Sequence, residues 1–130
     1  MIIDIANEIF TNLKNTITTA SVELSYDDEN ASFPCITFEE NTNTTNEDSV
    51  DTSGETANDL AFEINIFTTG NDSRSTSKAL RAQIDGIMSD QYRMSRDFAS
   101  GTPNYLDENV YKYTMRYSCV VDKNKKISRR

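Results

Sequence analysis

The sequence predicts an α+β fold, a mainly antiparallel β-sheet of four to five strands with two α-helices packed on one face. Three observations predict it. Apolar residues recur at spacings of three and four in two stretches, near the N-terminus and again around residue 80, as amphipathic helices require. Several other stretches alternate apolar and polar residues with the period of two of a half-buried strand. The resulting order, α-β-β-β-α-β-β, places strands in hairpin succession without an internal repeat or a separating linker.

The first helix is read from Ile2, Ile5, Ala6, Ile9, Phe10, Leu13 and Ile17, a stripe of about four turns with Asn12, Lys14, Asn15 and Thr18 opposite. Val22, Leu24 and Tyr26 alternate and predict a strand, closed by the acidic turn Asp27-Asp28-Glu29-Asn30. Phe33 to Glu40 (FPCITFEE) is the next strand, with Pro34 at its start, where a missing amide donor costs least. Asn41 to Gly54 holds one apolar residue, Val50, and no period. It predicts a long polar loop or the outer part of a hairpin.

Ala57 to Phe67 alternates again. Leu60, Phe62, Ile64 and Ile66 form one face, with Glu63 and Asn65 on the other. Gly70 turns the chain into a second helix, with Ser73 or Ser75 as N-cap and Ala79, Leu80, Ile84, Ile87 and Met88 as its buried stripe. Gly86 weakens the middle of that helix. A shorter strand sets Tyr92, Met94 and Phe98 against Arg93, Ser95 and Asp97, and Ser100–Asn104 forms the next loop. In the last strand, Val110 to Val121, the odd positions Tyr111, Tyr113, Met115, Tyr117, Cys119 and Val121 read as core. The even positions Lys112, Thr114, Arg116, Ser118 and Val120 read as the wet face. Asp122–Asn124 breaks the strand, and a basic C-terminal end follows.

At 130 residues with 36% apolar content, the chain predicts a single domain over 1–130, one modest core carrying long polar loops. The net charge of −8 disfavours tight nucleic-acid binding, which needs clustered Lys and Arg. Within 122–130 there are five basic residues and one acid, a segment of +4 that leaves −12 on the rest. An acidic body with a basic tip can draw identical copies together head to tail, although a solvated tail reads equally well. Cys35 and Cys119, each inside an apolar run, predict buried reduced thiols of an intracellular protein. The start MIIDIANEIF lacks the basic-then-apolar layout of a signal peptide, and no run approaches a membrane span. A soluble protein made in the cytoplasm is expected, with no membrane partner.

The chain contains no histidine, so no Cys–His or Ser–His pair can form, and the commonest general base and metal ligand is missing. Asp27-Asp28-Glu29 and Glu47-Asp48 lack the ligand spacing of a calcium loop. Glu39 and Glu40 are adjacent on a strand and face opposite sides, which excludes a glycosidic pair. Four glycines supply no phosphate loop. Tyr92-Arg93-Met94 and Lys112-Tyr113 interleave cations with aromatics, but in an acidic chain the aromatics read as core and the cations as surface. The expectation is a non-enzyme with no cofactor and no metal.

Three segments together resemble the tail terminator (tail completion, head–tail joining) proteins of long-tailed bacteriophages. They are Phe33-Pro34-Cys35-Ile36-Thr37-Phe38-Glu39-Glu40 with the Asn/Thr-rich stretch after it, Asn58 to Phe67 with the Ser-rich helix start after it, and Asn109 to Asp122 with Ile127-Ser128-Arg129-Arg130. Their order and spacing cover nearly the whole chain. The resemblance implies a virion protein made in the host bacterial cytoplasm and assembled as a ring, typically a hexamer, on the head-proximal end of the tail tube. There it ends tube polymerisation and joins the tail to the head connector. Implied partners are further copies of the chain, the tail tube protein and the head–tail connector protein, with viral DNA passing through without specific binding.

For that role Glu63, Asn65, Lys112, Thr114 and Arg116 are candidates for a polar sheet face against a neighbour or the lumen. Lys125, Lys126, Arg129 and Arg130 of the basic end are further oligomer-interface candidates, and Asn43, Glu47, Asp48 and Asp51 are loop candidates for partner or lumen contact. Another neck connector or the tail tube subunit are the alternatives within phage structure. From a different class, a small acidic binding or regulatory module such as a DNA mimic is weakened by the placement of many acids in expected loops.

Overall fold

The structure, a computed structural model, describes residues 4–27, 32–45, 57–103, 108–125 and 127–128. Helix α1 spans Ala6–Thr16, about three turns. Ile5, Ile9, Leu13 and Ile17 recur every fourth residue, stack on one side of it and are all buried. The Asp4 carboxylate accepts the Ala6 amide at 3.0 Å, and Ile17 N–H closes the last turn on Leu13 O at 2.9 Å. Ile2 lies outside the described residues.

Strand β1 is shorter than its pattern suggests, Ser21–Glu23. Leu24 is exposed, and Tyr26 finds its apolar cover by stacking on Phe67 at 4.0 Å. Strand β2, Cys35–Thr45, is longer than expected. The first five residues of the predicted loop, including Asn43, continue it as a strand, while 46–54 lie outside the described residues. The Thr-rich sequence suits an extended chain, and Asn58 Nδ2 donates to Asn43 Oδ1 at 2.8 Å across the pair. Asn41 is the extra residue of a bulge between Glu40 and Thr42.

Strand β3 is Ala57–Thr69, and helix α2 follows at Ser73–Asp85. Its cap position is Asp72 rather than a serine. Ser73 is the first helical residue, and Ser75 Oγ donates back to Asp72 O at 3.2 Å. Ser77 takes the buried place expected of Ala79, which is exposed. At Gly86 the helix relaxes into a π-helical segment, Gly86–Gln91, which keeps Ile87 and Met88 in the core.

Strand β4 is Ser95–Thr102, starting later and ending later than its pattern predicts. Tyr92–Met94 are not strand, and Arg93 has φ of +59°. A bulge at Asp97 reverses the faces, so Met94 is core whereas Phe98 is 38% exposed on the other side. Strand β5, Val110–Asp122, matches its alternation in length. A turn closed by Lys125 N–H on Asp122 O at 2.9 Å returns the chain as β6, Ile127–Ser128, paired with Val120 and Val121. Part of the expected loose basic end is thus a hairpin.

The sheet order is β1-β2-β3-β5-β4, with β6 beside β5. All neighbours are antiparallel except β1 and β2, which run parallel. The sheet is therefore mixed. Both helices cover one face: Ile9, Leu13, Leu80 and Ile84 join Leu60, Phe62, Ile64, Ile66, Met115, Tyr117, Cys119 and Val121 in one core. Each such aliphatic side chain contributes about 1.5–3 kcal/mol on burial. A smaller cluster of Cys35, Phe67 and Val110, with Tyr26 against it, sits on the opposite face. Cys35 and Cys119 are both buried thiols outside any disulfide, and burial pushes the Cys35 thiol up from its ordinary value. No helix among the described residues is long and apolar enough to cross a membrane.

Candidate functional site

The second face of the sheet carries no helix among the described residues, and period-two alternation dictates what it shows. With Leu60, Phe62, Ile64 and Ile66 turned to the helices, Glu63, Asn65 and Phe67 of β3 must turn away. Antiparallel register sets Arg116 opposite Glu63, Thr114 opposite Asn65 and Lys112 opposite Phe67. The five sheet residues singled out from sequence thus meet on one surface, although the two strands lie some fifty residues apart.

The polar atoms of Glu63, Asn65, Thr114 and Arg116 form one connected chain. Arg116 Nε donates to Glu63 Oε1 at 2.9 Å and Asn65 Nδ2 to Glu63 Oε2 at 3.1 Å. Thr114 Oγ1 donates to Asn65 Oδ1 at 2.6 Å and lies 2.9 Å from Thr102 Oγ1 of β4. Because the Thr114 hydroxyl has one proton and gives it to Asn65, Thr102 is the donor to Thr114. Burial alone would raise the Glu63 carboxyl, but the hydrogen bonds from Arg116 and Asn65 and the nearby positive charges outweigh it and hold the group below its ordinary range.

The expected wet face is consequently drier than its pattern implies. Thr114 and Ser118 are each 3% exposed and Asn65 is 9% exposed. Small polar side chains lie in a layer beneath long ones, which spread over them. The cations are pinned as well as charged: the Arg116 guanidinium lies 5.2 Å from the Phe98 ring and Lys112 Nζ 5.9 Å from the Phe67 ring. A surface of this kind is pre-ordered, so a partner meeting it would lose little side-chain freedom.

The other candidates fall elsewhere. Lys125 is exposed in the turn after β5 with φ of +63°, at the rim of a groove that also includes Asn7, Asn12 and Tyr92. Asn43 serves the β2–β3 pair. Glu47, Asp48, Asp51, Lys126, Arg129 and Arg130 lie outside the described residues. Of the tyrosines expected in the core, Tyr117 is fully buried, whereas Tyr111 and Tyr113 are half-buried beneath the guanidinium groups of Arg74 and Arg81.

Sequence reasoning passed over a second constellation at the β4 edge. Lys78, Arg81 and Asp85 of α2, Arg96 of β4 and Tyr113 of β5 line one small pocket. Tyr117 Oη donates to Asp85 Oδ1 at 2.7 Å and Arg96 Nη1 lies 3.4 Å from the same oxygen. Spacings of three and four along α2 were the available signal, but the partner on β4 was hidden by the bulge at Asp97. Among the described residues no group of three or more Cys, Asp or Glu could hold a metal ion. No protein-family model matches this chain, and no curated protein matches it.

Proposed function

We propose that this chain is a non-catalytic structural subunit of a phage tail. It assembles as a closed homo-oligomeric ring, a hexamer by family resemblance, at the head-proximal end of the tail tube. The observation that supports this reading best is the helix-free sheet face, where Glu63, Asn65, Thr114, Thr102 and Arg116 are joined in one hydrogen-bonded layer. A ring subunit needs two different surfaces, one given and one received, and a rigid scaffold that keeps their angle fixed. Helices on one face and an ordered polar layer on the other make such a rigid scaffold within one domain. In this reading the chain ends polymerisation of the tail tube protein, presents the other ring surface to the head–tail connector, and lets DNA pass an acidic body without being held. It uses no cofactor.

Negative-stain images of phage particles assembled without the chain test the reading. Over-long tails unattached to heads are the expected outcome. Particles with no tails would assign the chain to the tube instead, and normal joined particles would overturn a tail role.

A further inference from the structure

The two edges of the sheet carry opposite charge on the side the helices cover. At the β4 edge a pocket of about 250 Å³ is lined by Lys78, Arg81 and Arg96 against a single acid, Asp85. Asp85 is already engaged by Tyr117 and Arg96. The Arg81 guanidinium carbon lies 4.0 Å from the Tyr113 ring centre, which holds the group at the pocket wall. Three guanidinium and ammonium groups around one small space suit a carboxylate.

The opposite edge offers carboxylates. Between α1 and β2 a pocket of about 240 Å³ is lined by Asp4, Phe10, Phe38, Glu39 and Glu40, with Glu40 on the helix side and Glu39 turned to the other face opposite Glu63, and no basic residue lines it among the described residues. Leu24 stands 65% exposed beside it. Strand β1 pairs with β2 only from Cys35 to Thr37 and ends before Glu40. Partial desolvation of the exposed Glu40 carboxyl, with the nearby charge of Asp4, outweighs its hydrogen bond with Asn43 and pushes it up.

We propose that the Lys78–Arg81–Arg96 pocket of one subunit receives the Asp4–Glu40 edge of a second copy. The contact is heterologous, since each copy keeps its own acidic edge for one neighbour and its own basic edge for the other. It rests on the ring reading above and specifies which surfaces close the ring: the sheet edges rather than the basic C-terminal end.

The test uses two full-length variants, Lys78→Glu and Glu40→Lys, both at exposed positions, followed by sedimentation velocity across a concentration series. Each variant alone is expected to raise the apparent dissociation constant of the oligomer about tenfold or more, because like charges then face each other. An equimolar mixture of the two is expected to assemble as wild type does, since each reversed edge meets its reversed partner. Circular dichroism checks folding. If either reversal misfolds, the neutral pair Lys78→Gln and Glu40→Gln replaces it, with a smaller weakening expected from each. Variants that assemble like wild type, or a mixture no better than its components, would overturn the edge contact while leaving a ring built by other surfaces. A wild-type chain that never associates would instead remove the ring reading itself.

Discussion

Tyr117 shows how one hydroxyl ties three elements together. Its ring is fully buried on β5, its Oη donates to Asp85 on α2, and Asp85 in turn holds Arg96 on β4. Burial, then the bond to Asp85 and its charge, pushes the phenol well above its ordinary value. Tyr117→Phe keeps the ring and removes the tether, so it should cost about 1 kcal/mol and lower Tm by roughly 3–6 °C, read by calorimetry. An unchanged Tm would mean that water replaces the hydroxyl at no cost. Glu63 gives the pH dependence at this scale. Its folded pKa lies below the unfolded one, so its contribution is present above the ordinary carboxylate range and is lost as pH falls through the folded value. Glu63→Gln should therefore shrink the fall in Tm between neutral and acid pH. Melts at stepped pH check this, and parallel curves for the two proteins would contradict it.

Elements were legible where a single period governs them. The alternation in β3 and β5 fixed the core and outer face because both strands are long and run antiparallel over their whole length. Reading failed where a local feature changes the period. The bulge at Asp97 flipped the face of Phe98, the polar residues Asn41–Thr45 continue β2 past its bulge, and Tyr26 left its strand to stack on Phe67. No pattern of alternation can show that β1 and β2 are parallel, since both senses give the same period. Gly86 illustrates a half-correct reading. It marks a weak point, but the chain continues as a π-helical segment rather than breaking. With αR geometry there and no atom within 4 Å of an added Cβ, Gly86→Ala should stabilise the protein by about 0.5–1 kcal/mol, measured by urea unfolding. A loss of stability would show that the segment needs glycine for a reason other than space.

At the scale of the whole molecule, one face is closed by helices and the other is an ordered polar layer, with oppositely charged pockets at the two sheet edges. The polar layer was legible because its residues alternate with core residues on strong strands. The edge pockets were not, since Lys78, Arg81 and Arg96 converge only after α2 packs across β5 and the bulge turns β4. The central claim is that such a molecule is built to close a ring with itself. Native mass spectrometry of the purified full-length chain over a concentration series tests it most directly. A closed oligomer of one fixed subunit number, with no open ladder of intermediates, is the predicted result. A strict monomer at every concentration, and in assembled particles, would contradict it.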